Sequence, residues 1–219
     1  MEVEVSLRKR FRGFSLELDA SWSGPALFLG PNGSGKSTAL RCMAGLYKCN
    51  GWVKIGGRPA SEREFLYVPP APRVPPTLTV EEYLNHVSEV LDVEVKPILG
   101  VDGFLKKRGS ELSSGMAARV VLAAALSSGK ALLLDEPLLY LETSARLELV
   151  RALRGRLFVA ATHDPSLFIP LEPAVVQISE GRAAAVGSWA SLKALVLRRC
   201  GGELCVGEEE PKAVAGYVA

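Results

Sequence analysis

The chain has 219 residues, of which 48% are hydrophobic and 23% are charged, and its 26 basic and 24 acidic residues leave a formal net charge of +2. This length accommodates one large domain with a substantial core, and this balance of charge gives no general electrostatic case for nucleic-acid binding. The longest apolar runs, at 120–126 and 157–161, fall far short of the ~20 residues that a membrane-spanning helix needs.

The N-terminal residues alternate between charged and apolar side chains, which predicts a strand. Residues 2–7 and 14–18 are expected to form an antiparallel pair that bends near Phe11 and Gly13. The first residues lack the basic start and apolar stretch of a secretory signal, so we expect a cytosolic chain.

Residues 30–37 read Gly-Pro-Asn-Gly-Ser-Gly-Lys-Ser and fit the P-loop pattern G-x-x-x-x-G-K-[ST]. The apolar run 26–29 predicts a strand before the loop, and 36–46 predicts a helix after it. The glycines allow the backbone to curl so that its N–H groups face phosphate oxygens, and the helix adds its positive end. Lys36 is then a candidate to contact the β- and γ-phosphates, and Ser37 a candidate ligand of Mg²⁺. The alternative is a glycine-rich turn with no ligand.

The middle of the chain opens with two predicted strands, at 51–57 and 65–68. The segment 69–76 follows, and its five prolines exclude both a helix and a central strand, so it is expected to be a stiff, extended connector.

A helical part comes next. Thr79 and Glu82 have the spacing of a capping box, which predicts a helix running to about Leu91. We interpret 77–128 as a mostly helical subdomain inserted into an α/β core.

In the last third of the chain, segments with the pattern of strands alternate with segments with the pattern of helices. Strands are predicted at 131–135, 157–161, 175–179 and 183–186, and helices at 143–153 and about 188–198. Glu180 and Gly181 are expected to turn a hairpin, and the tail around 207–211 is expected to be loosely ordered.

The four cysteines form two local pairs, Cys42 with Cys49 and Cys200 with Cys205. Free thiols are expected in a reducing compartment. The single glutamine, Gln177, leaves the alternative of intracellular disulfides open, because scarce amides are a tendency of thermophilic proteins.

Three further short motifs follow the loop in chain order. Asp135 ends a buried strand and can reach Mg²⁺, and the carboxylate of Glu136 can orient or deprotonate a water molecule that attacks a γ-phosphate. His163 follows another apolar strand, and residues 112–116, Leu-Ser-Ser-Gly-Met, precede a predicted helix where N–H groups and hydroxyls could meet an anion. Taken singly, these are also typical of solvated acids, a surface histidine and an ordinary helix cap.

In this order, the motifs resemble those of ATP-binding cassette (ABC) ATPases, and the resemblance covers about 1–192. It implies Walker A at 30–38, a signature motif at 112–116, the Walker B aspartate at Asp135, the catalytic glutamate at Glu136 and the switch histidine at His163. The implied catalytic residues are Glu136, His163 and Lys36, and the implied metal ligands are Ser37 and Asp135. The implied nucleotide-binding residues are Phe11, Gly30, Pro31, Asn32, Gly33, Ser34, Gly35, Lys36, Ser37, Thr38, Ser113, Ser114 and Gly115. Phe11 would stack on adenine, with Phe14 as the second choice and a plain core role as the alternative.

The fold class that the resemblance implies is α/β, a P-loop NTPase core with a mainly parallel sheet, an N-terminal antiparallel β subdomain and an inserted helical subdomain. The expected division is a core of 1–76 and 129–192, a helical subdomain of 77–128 that carries the signature, and a C-terminal helix end and tail of 193–219.

The resemblance also implies ATP and Mg²⁺ as cofactors and a second nucleotide-binding subunit, in a homodimer that closes around two ATP. An integral membrane transporter subunit is the implied second partner, so the chain is expected to lie peripherally on the cytosolic face of the cell membrane and to bind no nucleic acid.

The chain departs from the family pattern at several positions. Pro70 stands where the family has a glutamine that contacts Mg²⁺, and Ser114 and Met116 replace a glycine and a glutamine of the signature. Leu139 replaces a serine in the segment 139–142. These changes predict a working but slow ATPase of an ABC transporter; a soluble, non-transport ATPase of the cluster-assembly type and a regulatory cassette without turnover are the alternatives.

Overall fold

The computed structural model describes residues 1–188, 195–200 and 203–208. The chain divides into two compact units, one of Met1–Glu62 with the described residues from His163 onward, and one of Arg63–Thr162. Each unit is described by itself.

The main sheet of the first unit has seven strands among the described residues: β1 Glu2–Phe11, β2 Phe14–Ser23, β3 Ala26–Leu29, β4 Asn50–Ile55, β5 Arg58–Pro59, β9 Ala174–Ser179 and β10 Arg182–Ser188. Their order across the sheet is β5-β4-β1-β2-β10-β9-β3. β1 pairs antiparallel with both β2 and β4, whereas β3 pairs parallel with β9. The predicted antiparallel N-terminal pair is confirmed and is longer at its C-terminal ends than predicted.

One helix, α1 (Lys36–Met43), follows β3 in this unit and packs on β2. The predicted helix ended at 46; the observed one ends earlier because Gly45 adopts φ 70°, a left-handed conformation that glycine tolerates and that stops a helix. The buried strand residues Leu16, Leu18 and Phe28 form part of the core of this unit.

The second unit contains a fully parallel arrangement of β6 (Phe65–Val68), β7 (Ala131–Asp135) and β8 (Phe158–Ala161). Its helices are α2 (Val80–Leu91), α3 (Ser114–Ser127) and α4 (Thr143–Ala152), with short 3₁₀ turns at Val101–Phe104 and Gly109–Glu111. The predicted capping box is present: the Thr79 hydroxyl accepts a hydrogen bond from the N–H of Glu82, and the Glu82 carboxylate accepts one from the N–H of Thr79. α2 and α3 share an apolar core that includes Val80, Leu84, Phe104 and Val120.

Two predictions were wrong. The helix expected at about 188–198 is contradicted, because β10 extends to Ser188 and Leu195–Cys200 forms a strand, β11, paired antiparallel with β12 (Glu203–Glu208). The apolar run Leu-Val-Leu at 195–197 suits a strand as well as one face of a helix, and the helical periodicity assigned to it from the sequence was wrong. Gly207 and Glu208, expected in a loosely ordered tail, belong to β12. Residues 189–194 of the predicted helix and the tail beyond 208 lie outside the described residues.

The free-thiol prediction is also wrong for one pair, since Cys42 on α1 and Cys49 before β4 form a disulfide. The cysteines are seven positions apart, and the turn after α1 brings their Cα atoms to 5.7 Å. The state of Cys200 and Cys205 lies outside the side chains that the structure describes. With the strands and helices found in chain order, the predicted α/β class is confirmed.

Candidate functional site

The P-loop lies in the first unit between β3 and α1, and its backbone is shaped by three glycines. Gly30, Gly33 and Gly35 have φ values of 150°, 76° and 109°. A Cβ atom on Gly30 would lie 2.0 Å from the carbonyl oxygen of Ile178, and one on Gly35 would lie 2.9 Å from a ring carbon of Phe14. The loop therefore requires glycine at both positions, for conformation and for space.

The loop is further held by its own polar groups. The ammonium group of Lys36 donates hydrogen bonds to the carbonyl oxygens of Gly30 and Pro31, at 2.7 and 2.9 Å. The N–H of Gly181, in the turn after β9, donates to the carbonyl of Ser34 at 2.8 Å. Residues 30–38 thus form one curled segment, and the ammonium group of Lys36 lies against the carbonyl groups at its start.

The helix that follows begins without a side-chain cap. Gly35 is the N-cap residue and can offer no side-chain acceptor, and the first turn of α1 contains no acidic residue. The first turn of α1 therefore contributes no carboxylate of its own against its N–H groups and the positive end of the helix dipole. Ser37, half-buried, and Thr38 place hydroxyl groups in the same turn.

Two aromatic residues lie at the turn between β1 and β2, and one of them contacts this loop. Phe14 packs against Gly35, whereas Phe11 is 38% exposed and has its ring centroid 6.3 Å from that of Phe14. The ring of Tyr47 approaches Phe11 edge-on at 5.6 Å, and the ammonium of Lys9 lies 5.3 Å from the Phe11 centroid. Sequence reasoning missed Tyr47, which is far from Phe11 in sequence and is carried there by the turn that the disulfide closes.

The acidic pair lies in the second unit, at the C-terminal end of β7. Asp135 is only 1% exposed, and its Oδ2 accepts a hydrogen bond from the hydroxyl of Tyr67 at 2.9 Å. Glu136 is half-buried and adopts φ 49°, in the left-handed region that side chains avoid. Its N–H donates to the carbonyl of Ala161 on the neighbouring strand at 2.8 Å, which holds the backbone in that conformation. Such strain is typically found at functional sites.

The predicted signature residues are also in the second unit, at the start of α3. Ser113 is the N-cap, and its hydroxyl accepts a hydrogen bond from the N–H of Met116 at 3.2 Å. Ser114 is exposed and does not have a positive φ, so the serine replaces a glycine here without strain. A Cβ on Gly115 would lie 2.7 Å from the carbonyl oxygen of Tyr140, which explains glycine at that position.

His163 follows β8 and is exposed. It belongs to the first unit, as do Phe11 and the P-loop, whereas Asp135, Glu136 and the signature residues belong to the second. Among the described residues, no group of three or more His, Cys, Asp or Glu side chains is placed to hold a metal ion.

No helix among the described residues is long and apolar enough to cross a membrane.

Comparison with known proteins gives one consistent family. Residues 15–139 match the family model described as ABC transporter. The chain is 32% identical over 225 residues to a sulfate/thiosulfate import ATP-binding protein of Mesorhizobium japonicum, covering 86% of this chain and 64% of that one. It is 31% identical over 211 residues to a molybdenum import ATP-binding protein of Azotobacter vinelandii, covering 84% and 59%. The chain thus spans about three fifths of the length of these relatives.

A solved structure titled as an ATP-binding subunit of an ABC transporter superposes with a TM-score of 0.76, covering 88% of this chain and 92% of that one at 23% identity. A second, a nucleotide-free ATP-binding cassette, superposes with a TM-score of 0.70 at 18% identity. The two solved structures show that the fold is shared, and the family model and the relatives show the family. The chain belongs to the ABC transporter family.

Proposed function

We propose that this chain is the ATP-binding and ATP-hydrolysing subunit of an ABC transporter, that it dimerises around two Mg-ATP, and that it powers transport through a separate membrane subunit. The observation that carries the proposal is the P-loop: Gly30, Gly33 and Gly35 at positive φ, followed by a helix whose first turn has no acidic residue. A loop of this form binds the phosphates of a nucleotide through backbone N–H groups.

Lys36 is the residue that binds the β- and γ-phosphates in this proposal. Its ammonium group donates hydrogen bonds to two loop carbonyls, which holds it against the loop. In this proposal the ammonium also donates to a phosphate oxygen when the nucleotide binds. The surrounding residues Pro31, Asn32, Ser34 and Thr38 complete the loop, and Phe11 offers a partly exposed ring for the base.

A divalent cation fits the donor set of this chain. Asp135 supplies a carboxylate that is withdrawn from water, and Ser37 supplies a hydroxyl in the first turn of α1; both are hard oxygen donors of the kind Mg²⁺ prefers. When bound, the cation would neutralise charge on the phosphate oxygens.

Hydrolysis is assigned to Glu136 and His163. The Glu136 carboxylate would orient or deprotonate the attacking water, and its strained backbone fixes the direction in which the side chain leaves the strand. A His163 ring nitrogen would donate to the γ-phosphate. Ser113, Ser114 and Gly115 at the N-terminus of α3 would donate hydrogen bonds to the γ-phosphate held by a second subunit, so the site is complete only in the dimer.

A separate membrane subunit is part of the proposal because the relatives described above are named as import ATP-binding proteins. We place this chain on the cytosolic face of the membrane, with the segment 69–76 as the docking surface. Its five prolines would reduce the entropy lost on binding. Pro70 provides no side-chain ligand, and this favours slow turnover.

The test is ATP turnover and ATP binding by the purified chain and by Glu136→Gln. The proposal expects turnover in the wild type and its loss in the variant, with binding retained. Binding without turnover in the wild type would instead favour a regulatory cassette. Purification from detergent-solubilised native membranes tests the partner: a stoichiometric multi-spanning protein is expected, and an exclusively cytosolic partner would favour the assembly-type ATPase.

A further inference from the structure

Tyr67 and Asp135 lie on neighbouring parallel strands of the second unit, β6 and β7. Tyr67 on β6 is in register with Leu133 on β7, and Asp135 lies two residues further along β7. Residues two apart on a strand project from the same face, so Asp135 is the diagonal neighbour of Tyr67. The phenol hydroxyl donates to Asp135 Oδ2 at 2.9 Å.

This hydrogen bond acts on a carboxylate that has almost no access to water, since Asp135 is 1% exposed. Burying a charged carboxylate is costly unless donors replace the lost water, and a directional donor also selects one rotamer of the side chain. Tyr67 therefore does more than fill space, because its hydrogen bond contributes to the direction in which the two carboxylate oxygens point.

The local sequence gives Tyr67 a special position. Between Phe65 and Pro76 only two residues carry a polar side chain, Tyr67 and Arg73, and the positions immediately after β6 are prolines. The connector that leaves this strand therefore brings no side-chain amide or hydroxyl of its own. The phenol, inside the strand, is the nearest preceding hydrogen-bonding side chain.

We propose that Tyr67 is a positioning residue for the divalent cation: its hydroxyl holds Asp135 in the orientation that binds the metal of the metal–nucleotide complex. This inference rests on the proposed ATP-binding function. It predicts that the hydroxyl, and not the ring, affects metal affinity, because Tyr67→Phe would preserve the packing of the ring while removing this one hydrogen bond to the carboxylate. Outer-shell partners of this kind typically change metal affinity by about 10- to 100-fold.

The test compares wild type with Tyr67→Phe in Mn²⁺ titrations followed by electron paramagnetic resonance, with a non-hydrolysable ATP analogue present. The expected result is a Kd for Mn²⁺ about 10-fold higher in the variant. Tyr83→Phe, which removes a phenol hydroxyl on α2 of the same unit, is the matched control and should leave the Kd unchanged. Urea unfolding of each variant reports folding separately.

A second readout is the Mg²⁺ dependence of turnover. If Tyr67 positions the metal ligand, the Mg²⁺ concentration for half-maximal rate rises in Tyr67→Phe while the rate at saturating Mg²⁺ is restored. An unchanged Kd in Tyr67→Phe, with wild-type metal binding intact, would overturn this inference alone. Wild-type protein that binds neither analogue nor Mn²⁺ would overturn the proposed function as well. In the Asp135→Asn background, Tyr67→Phe should have no further effect on Mn²⁺ binding, and an effect of equal size there would also contradict the proposal.

Discussion

Gly115 and the carbonyl oxygen of Tyr140 leave no room between them for a side chain, because a Cβ atom on Gly115 would lie only 2.7 Å from that oxygen. The contact joins the first turn of α3 to the segment that follows Glu136. A second contact reinforces it: the guanidinium of Arg119 on α3 donates to the carboxylate of Glu142, the N-cap residue of α4. These two contacts connect the start of α3, which carries the proposed signature residues, to the segment that follows Asp135 and Glu136.

Gly115→Ala should therefore push these two segments apart. Overpacking there should cost about 1–3 kcal/mol, since the backbone oxygen cannot turn aside as a flexible side chain could. The gain in helix propensity offsets at most about 1 kcal/mol of that cost, so we expect net destabilisation of about 1–2 kcal/mol. Urea unfolding measures it. Gly103→Ala is the control, because a Cβ there meets nothing within 4 Å and Gly103 has no positive φ. Equal stabilities of the two variants would show that the backbone at Tyr140 moves away from the added Cβ at little cost in free energy.

Much of the fold and of the candidate site could be predicted because local signals agree with tertiary structure there. The capping box of Thr79 and Glu82 marked the start of α2, and the continuous apolar run before Asp135 marked a buried parallel strand. The glycines within 30–35 likewise marked the curled loop, since they adopt conformations that other residues avoid.

What escaped prediction depends on residues far apart in sequence. Tyr67 meets Asp135 only because β6 and β7 pair in one particular register, and no spacing within the chain encodes that register. Tyr47 reaches Phe11 by the same kind of long-range packing. The pairing of Cys42 with Cys49 depended on how tightly the chain turns after α1, and their spacing alone did not decide between thiols and a bridge.

The disulfide should stabilise the turn that carries Tyr47. Closing a loop between cysteines seven positions apart is worth about 2 kcal/mol in the chain-entropy account. Reduction of the wild type, or replacement of Cys42 and Cys49 together by serine, should lower the free energy of unfolding by about that amount. Urea titrations with and without reductant measure this change. The double variant should be insensitive to reductant, and sensitivity retained there would point to other cysteines.

The capping box should make stability depend on pH. The pKa of Glu82 is lowered, first because its carboxylate accepts a hydrogen bond from the Thr79 N–H and then because of the Thr79 hydroxyl. A pKa that is lower in the folded state gives stability that is complete above the unfolded value of 4.5 and is lost as pH falls through the folded value. Urea unfolding at pH 7 and pH 3 should therefore show wild type losing more stability than Glu82→Gln.

The control for that experiment is Thr79→Ala, which removes the hydroxyl and leaves the backbone N–H, the larger cause of the lowered pKa, in place. Its stability should be reduced at both pH values by about 1 kcal/mol, the usual loss for an N-cap, while most of its acid sensitivity remains. If Glu82→Gln and the wild type lose stability equally on acidification, the carboxylate contributes no pH-dependent stability.

Phe11 is the better placed of the two aromatic candidates for the nucleotide base, because it is 38% exposed while Phe14 packs against Gly35 of the P-loop. Phe11→Ala should weaken ATP binding by about 5- to 150-fold, since stacking of a base on an aromatic ring is worth about 1–3 kcal/mol, and Phe11→Trp should preserve binding. Isothermal titration calorimetry measures the affinities. Trp52→Ala, which removes an aromatic ring that is 43% exposed on β4, is the control and should bind ATP normally. Normal binding by Phe11→Ala would instead leave this ring with a packing role against Tyr47.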